Sequence, residues 1–203
     1  MLNKFLSGVS AGLLISLGGT VYLACDNKVV GAVFFSVALL CICYKGYSLY
    51  TGRIGYAIRD RSKDYFSGLF LGLAGNVVGT AAGGAAIHFA LPSLVEKATA
   101  LCDAKVSQSI LEAFLRALFC GILMYLAVSI FAEHKTPLAI LFCIPVFILS
   151  GFEHCVADMF YFAVKGWPTI GGTIFILIAV LGNTAGSLIL PVLNPKERMR
   201  KNG

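Results

Sequence analysis

The chain has 203 residues, is 58% hydrophobic and only 13% charged, and carries a formal net charge of +6. Soluble domains are about 25% charged, so half that share, set between long apolar runs, excludes an ordinary soluble enzyme. Six apolar runs, each close to the roughly 20 residues a membrane-spanning helix needs, consume nearly the whole chain and leave no soluble catalytic domain.

The first run, 5–25, follows Lys4 and is succeeded at once by another, so it reads as a span and not as a cleaved signal. The second, 29–50, ends in Ser48-Leu49-Tyr50-Thr51-Gly52-Arg53-Ile54-Gly55, which interrupts the apolar pattern. The third, 66–91, contains Gly75-Asn76-Val77-Val78-Gly79 and a Gly/Ala-rich stretch to Ala86 that suits close helix contact. The fourth covers 109–132. The fifth, 137–163, is broken between Gly151 and Asp158 by Glu153, His154 and Asp158 itself, and the sixth, 169–192, contains Gly182-Asn183-Thr184-Ala185-Gly186. A charged side chain at mid-membrane costs roughly 2.5–3.5 kcal/mol on insertion scales, which marks the fifth run as a functional site. His154 is also the side-chain type that changes charge near neutral pH.

The two interruptions fall in matching places. Thr51 precedes Gly75 by 24 residues, and His154 precedes Gly182 by 28. The chain therefore divides into three runs plus three, and an odd number per half inverts the second half relative to the first. The expectation is an all-α membrane protein with six transmembrane helices, broken in the second and fifth. It forms a single pore domain over 1–203, with inverted repeats at about 1–92 and 105–193 and a basic cytoplasmic tail at 194–203. In such repeats the breaks meet near the midplane and line a cavity. Each glycine–asparagine motif has two readings that stay open: small residues for helix packing, and an asparagine that satisfies carbonyls freed by a break.

Ten Lys/Arg fall on one side of this topology and four on the other, which puts both termini in the cytoplasm of a cell-membrane protein. The positive charge is thus topological, and no nucleic-acid partner is expected. The tail reads as an anchor at an anionic leaflet. Seven cysteines, without a CxxC spacing, read as apolar packers, with neither disulfide, metal nor cofactor expected. His88 and His134 read as interfacial and solvated. Ser150 precedes His154 by four residues, but the break separates them and no nucleophile motif is present, so an enzyme is not expected.

The segment from Gly151 to Phe160 resembles the G-F-E-H-x-x-A-N-M-F signature of the formate/nitrite transporter family. Leu49-Tyr50-Thr51 resembles that family's Leu-Phe-Thr at the break of the second span. The two Gly-Asn motifs and the stretch from Lys105 through Arg116 to Val128 agree in order, so the resemblance covers essentially the full chain. It implies an aquaporin-like fold and a homopentamer in the bilayer with one pore per protomer. Small monovalent anions of weak acids would pass: formate first, then nitrite or hydrosulfide. By position, Phe35 and Phe147 would form the outer constriction, with Leu39, Leu49 and Tyr50 the inner one. Thr51 and His154 would be the central polar pair, and Lys105 would attract anions in the outer vestibule. Glu153, Asn76 and Asn183 would be supporting polar residues.

Three positions depart from the family pattern: Asp158 where Asn is usual, Gly121 where Asn is common, and Gly52-Arg53 where small hydroxyl residues are common. Asp158 and Arg53 are expected to compensate each other. In mechanism, His154 is the expected proton donor that turns the anion into its neutral acid at the midplane, because an unpaired buried charge is expensive. Lys105 would concentrate anions at the mouth, and Thr51 would hydrogen-bond His154 or the substrate. Glu153 would accept from backbone N–H groups freed at the break. Two other readings stay open: an aquaporin-like neutral-solute channel, although paired Asn-Pro-Ala motifs are missing, and a non-conducting membrane sensor.

Overall fold

A computed structural model describes residues 1–194, and those residues form helices and connections with no strand among them. The elements are α1 (Leu2–Ala24), α2 (Lys28–Lys45), α3 (Tyr50–Arg53) with a 3-10 turn over Ile54–Ile58, α4 (Lys63–Ala90), α5 (Ser93–Val106), α6 (Ile110–His134), α7 (Leu138–Leu149), α8 (Cys155–Lys165) and α9 (Ile170–Leu193). Apart from Asn194, the basic tail lies outside the described residues.

Starts and stops follow local chemistry. Asn27, Ser62, Ser109 and Thr169 each cap a helix by accepting from a backbone N–H in its first turn. Helix α2 stops at Gly46, whose φ of 67° is left-handed and cheap only for glycine. Gly151, with φ 69°, turns the chain after α7 in the same way.

Helices α1, α2, α4, α6 and α9 are long and apolar enough to cross a membrane. The fifth apolar run is different: it folds as two short helices, α7 of 12 residues and α8 of 11, separated by Ser150–His154. A matching gap, Gly46–Leu49, separates α2 from α3. Helix α5 is an addition to the expected elements, since 93–106 reads as a loop in the sequence. Its buried face of Leu94, Ala98, Cys102 and Lys105 packs it on the fold, and surface ion pairs join Lys97 to Asp26 at 3.1 Å and Asp103 to Lys165.

Two tight helix pairs frame the fold, α1 with α4 and α6 with α9. Both pack through the glycines of the Gly-Asn motifs. A Cβ on Gly75 would run into the Phe5 carbonyl oxygen, and one on Gly182 would stand 2.6 Å from the Phe114 carbonyl oxygen. Gly121 is equally constrained, because a side chain there would meet the Asn183 carbonyl. That explains the departure at this position: α6 and α9 approach too closely for an asparagine. Helix α8 is the most enclosed element, with Cys155, Val156, Phe160 and Val164 fully buried. The outside is apolar, with Phe34, Phe70, Phe142 and Leu181 all exposed, as a helix set in hydrocarbon requires.

Candidate functional site

The two breaks are held by the same device. At the first, the fully buried Asn76 accepts at Oδ1 from the Tyr50 N–H (2.9 Å) and donates from Nδ2 to the carbonyls of Ser48 and Gly8, both at 2.9 Å. At the second, the fully buried Asn183 accepts from the Cys155 N–H (2.9 Å) and donates to the carbonyls of Glu153 and Ala117, both at 2.8 Å. In each case one amide satisfies the first N–H of the short helix, the carbonyl two residues before it, and a carbonyl on a long helix. Unpaired backbone groups away from water cost as much as lost hydrogen bonds, so these asparagines make the interruptions tolerable. Within each motif the glycines pack and the asparagine serves the break.

The breaks meet at one contact. Thr51 Oγ1 lies 2.8 Å from His154 Nε2, with both residues buried. His154 Nδ1 accepts from the Ala157 N–H at 3.1 Å and thereby caps α8. An acceptor nitrogen holds no proton, so this bond fixes the neutral tautomer with its hydrogen on Nε2, directed to Thr51. The His154 ring stacks on Phe147 (centroids 5.6 Å, 23° between planes), and Phe35 meets Phe147 edge-on at 6.3 Å.

A cavity opens on each side. One, of about 390 Å³, is bounded by Phe35, Phe147 and His154 and by charged groups from α5, α6 and the α7–α8 break. The other, of about 670 Å³, is bounded by Leu39 and Leu49 and by Arg53, Arg59 and Lys135. Tyr50 lines neither; its hydroxyl pairs with Thr184 Oγ1 at 2.8 Å.

The charged side chains depart from sequence expectation. Glu153 does not receive backbone N–H groups. Its carboxylate pairs with Lys105 and accepts from Gln108 Nε2 at 2.7 Å, because Asn183 and His154 already serve the break. Asp158 does not compensate Arg53. Its partner is Lys105, with Oδ1 2.9 Å from Nζ, whereas Arg53 borders the opposite cavity and donates to the Gly46 carbonyl at 3.3 Å. Lys105, on α5 outside the membrane-spanning helices, is 8% exposed. Burial alone would lower its pKa, but its contacts with Asp158 and Glu153 outweigh that and hold it above the ordinary lysine value.

Sequence reasoning missed Gln108, Glu112 and Arg116 on this cavity. Arg116 donates to the Gly151 carbonyl at 3.3 Å and pairs with Glu112 at 2.5 Å. Their signal was available: an acidic and a basic residue four apart in an apolar run.

The sequence profile of the formate/nitrite transporter family matches residues 1–194. The chain belongs to the formate/nitrite transporter family. It is therefore a multi-pass membrane protein of a family of transporters. Among curated relatives it is 29% identical over 184 residues to the formate channel FocA of Haemophilus influenzae, covering 77% of this chain and 64% of that protein. It is 32% identical over 199 residues to the uncharacterized transporter YwcJ of Bacillus subtilis, covering 82% and 75% respectively. The chain thus spans less than two thirds of the FocA length. In fold it is similar to an ion channel of this family (TM-score 0.79, 24% identity, covering 93% of this chain and 85% of that one). It is also similar to a pentameric formate channel with formate bound (TM-score 0.78, 22% identity, 95% and 94%). The Thr51–His154 contact thus lies between a cavity bounded by Phe35 and Phe147 and one bounded by Leu39 and Leu49.

Proposed function

We propose that the chain is a channel for small monovalent anions of weak acids, formate first and then nitrite or hydrosulfide. It assembles as a homopentamer in the cell membrane, with both termini cytoplasmic. In this reading α7 and α8 together make one crossing, and α2 with α3 another. Six crossings then form an inverted repeat of three plus three. The cavity beside α5 is the outer vestibule and the cavity beside α3 the inner one.

The observation that carries this reading is the Thr51–His154 hydrogen bond, which joins the two breaks between the two cavities. An anion in the outer vestibule faces Phe35 and Phe147, where its charge would be unpaired and costly. Its conjugate acid carries no such penalty and needs only hydrogen-bond partners. Thr51 and His154 provide them midway, since the hydroxyl and the ring N–H are adjacent. Leu39 and Leu49 then form the inner constriction, with Tyr50 setting its width from behind through Thr184. Asn76, Asn183, Glu153 and Arg53 are supporting polar residues, and Lys105 and Asp158 act at the vestibule. The central histidine was the expected proton donor. Its Nδ1 cap bond narrows that role: a second ring proton would require the Ala157 N–H to be released, so His154 acts in its neutral form as a hydrogen-bond donor.

The test is flux through reconstituted proteoliposomes of formate, nitrite, hydrosulfide and acetate across a pH series. Formate flux that rises as external pH falls is expected. Osmotic water flux without anion flux would favour the neutral-solute reading, and no flux of any kind would favour a sensor.

A further inference from the structure

We infer that Asp158 is the proton donor that neutralises the anion in the vestibule, before the Phe35–Phe147 constriction. This rests on the proposed reading of the pore as a conduit for weak-acid anions and names the group that supplies the proton.

The hydrogen-bond inventory assigns the proton. Three ionisable side chains meet at one point: the Lys105 ammonium contacts both Glu153 Oε2 and Asp158 Oδ1. Glu153 has a donor on each oxygen, Lys105 on one and Gln108 on the other. Asp158 has Lys105 on Oδ1 and no partner on Oδ2, although the residue is 1% exposed and borders the cavity. A buried oxygen without a donor costs more in a carboxylate than in a neutral carboxyl group. Two carboxyls that share one cation out of water are relieved by a single proton between them. Both Glu153 oxygens are already occupied by donors, so the proton sits on Asp158 Oδ2. Lys105, Glu153 and the protonated Asp158 are then neutral together.

The remaining titratable neighbours do not compete for this task. Cys102 of α5, Cys120 of α6 and Cys155 at the start of α8 are uncharged thiols. Tyr22 of α1 and Tyr161 of α8 also border the cavity, and a phenol, with an ordinary pKa of about 10, is a poor proton donor to a weak-acid anion. From α4, His88 is engaged with the Val164 carbonyl at 2.8 Å, and α9 contributes Phe175 and no ionisable group. Across the cavity Arg116 is paired with Glu112. His154 offers only its Nε2 hydrogen, which already faces Thr51.

The step balances. The Asp158 Oδ2–H bond breaks and an O–H bond forms on a formate oxygen. Formic acid leaves toward His154, and Asp158 remains as a carboxylate facing Lys105. A hydronium ion from water in the outer mouth then restores the proton. Formate and one proton enter together, so transport is electrically silent.

The experiment uses proteoliposomes holding a trapped pH dye, with wild type, Asp158→Asn and Asp158→Glu. Asparagine keeps the size and a hydrogen-bonding group but carries no transferable proton. Wild type is expected to acidify the lumen in step with formate uptake. Asp158→Asn is expected to lose that co-uptake and the rise of flux at low pH, with the residual flux now driven by an imposed potential; Asp158→Glu restores coupling. Wild-type coupling retained in Asp158→Asn would overturn the assignment. Should the asparagine variant not fold, infrared difference spectra of wild type decide. A protein carboxylic-acid band that bleaches on formate addition supports the assignment, and no such band at any transporting pH refutes it. Wild-type liposomes that pass no weak-acid anion would instead remove the channel reading itself.

Discussion

Replacing Asn183 with alanine isolates the device that holds the second break. The amide makes three bonds of 2.8–2.9 Å in a fully buried setting. The Ala117 carbonyl is inside α6 and keeps its helical partner, so its loss is small. The Cys155 N–H and the Glu153 carbonyl depend on Asn183, and each stranded group costs about 1–3 kcal/mol. The expected destabilisation is therefore about 2–6 kcal/mol. Unfolding in mixed micelles, followed by circular dichroism at fixed protein concentration and extrapolated linearly, measures it. Asn76→Ala is expected to cost a similar amount through the Tyr50 N–H and the Ser48 carbonyl. Asn183→Asp should rescue little, since it keeps the acceptor but places a carboxylate against two carbonyls. A loss below about 1 kcal/mol for either alanine variant would refute the claim that these amides satisfy the breaks, because even one stranded group exceeds it.

Other changes probe the pore and its packing. His154→Phe should express and assemble but lose most formate uptake at every pH, because the midway hydrogen-bond donor is gone; unchanged flux in proteoliposomes would remove His154 from the mechanism. Phe147→Ala removes the ring that bridges Phe35 and His154, so acetate flux should rise relative to formate, as read by stopped-flow uptake. Gly186→Ala drives a Cβ into the Leu118 carbonyl, and should lower the thermal midpoint in detergent more than Gly171→Ala, where the nearest atom is a side-chain carbon at 3.2 Å. Because Arg53 and Asp158 border different cavities, the effects of Arg53→Gln and Asp158→Asn on flux should add; strong non-additivity would revive the pairing expected from sequence.

Much of this was legible in the chain because membrane burial imposes coarse, long-range patterns. The apolar runs located α1, α2, α4, α6 and α9 to within a few residues. The breaks declared themselves through Glu153 and His154 in one half and Thr51-Gly52-Arg53 in the other, and the paired asparagines matched them. Helix α5 stayed hidden because it is short and mixed in polarity, and its order comes from contacts with α8 and α1 that no local period encodes. The partner of Lys105 was equally hidden. It lies 48 residues away across the fold, and the sequence pattern alone paired Asp158 with the wrong cation.

The reach of the two asparagine clamps also constrains how the chain can be made. The Tyr50 N–H waits for an amide 26 residues further on, and the Cys155 N–H for one 28 residues further on. At a ribosome's pace of about 5–20 residues per second, each interval lasts roughly 1–6 seconds. During it an interrupted helix has unsatisfied backbone and cannot rest in hydrocarbon. The segment around each break must therefore stay near water or in the insertion machinery until the helix that carries its asparagine, α4 or α9, arrives. A substitution at either asparagine should therefore register first during biosynthesis, as stalled or degraded chain, before any transport is measured.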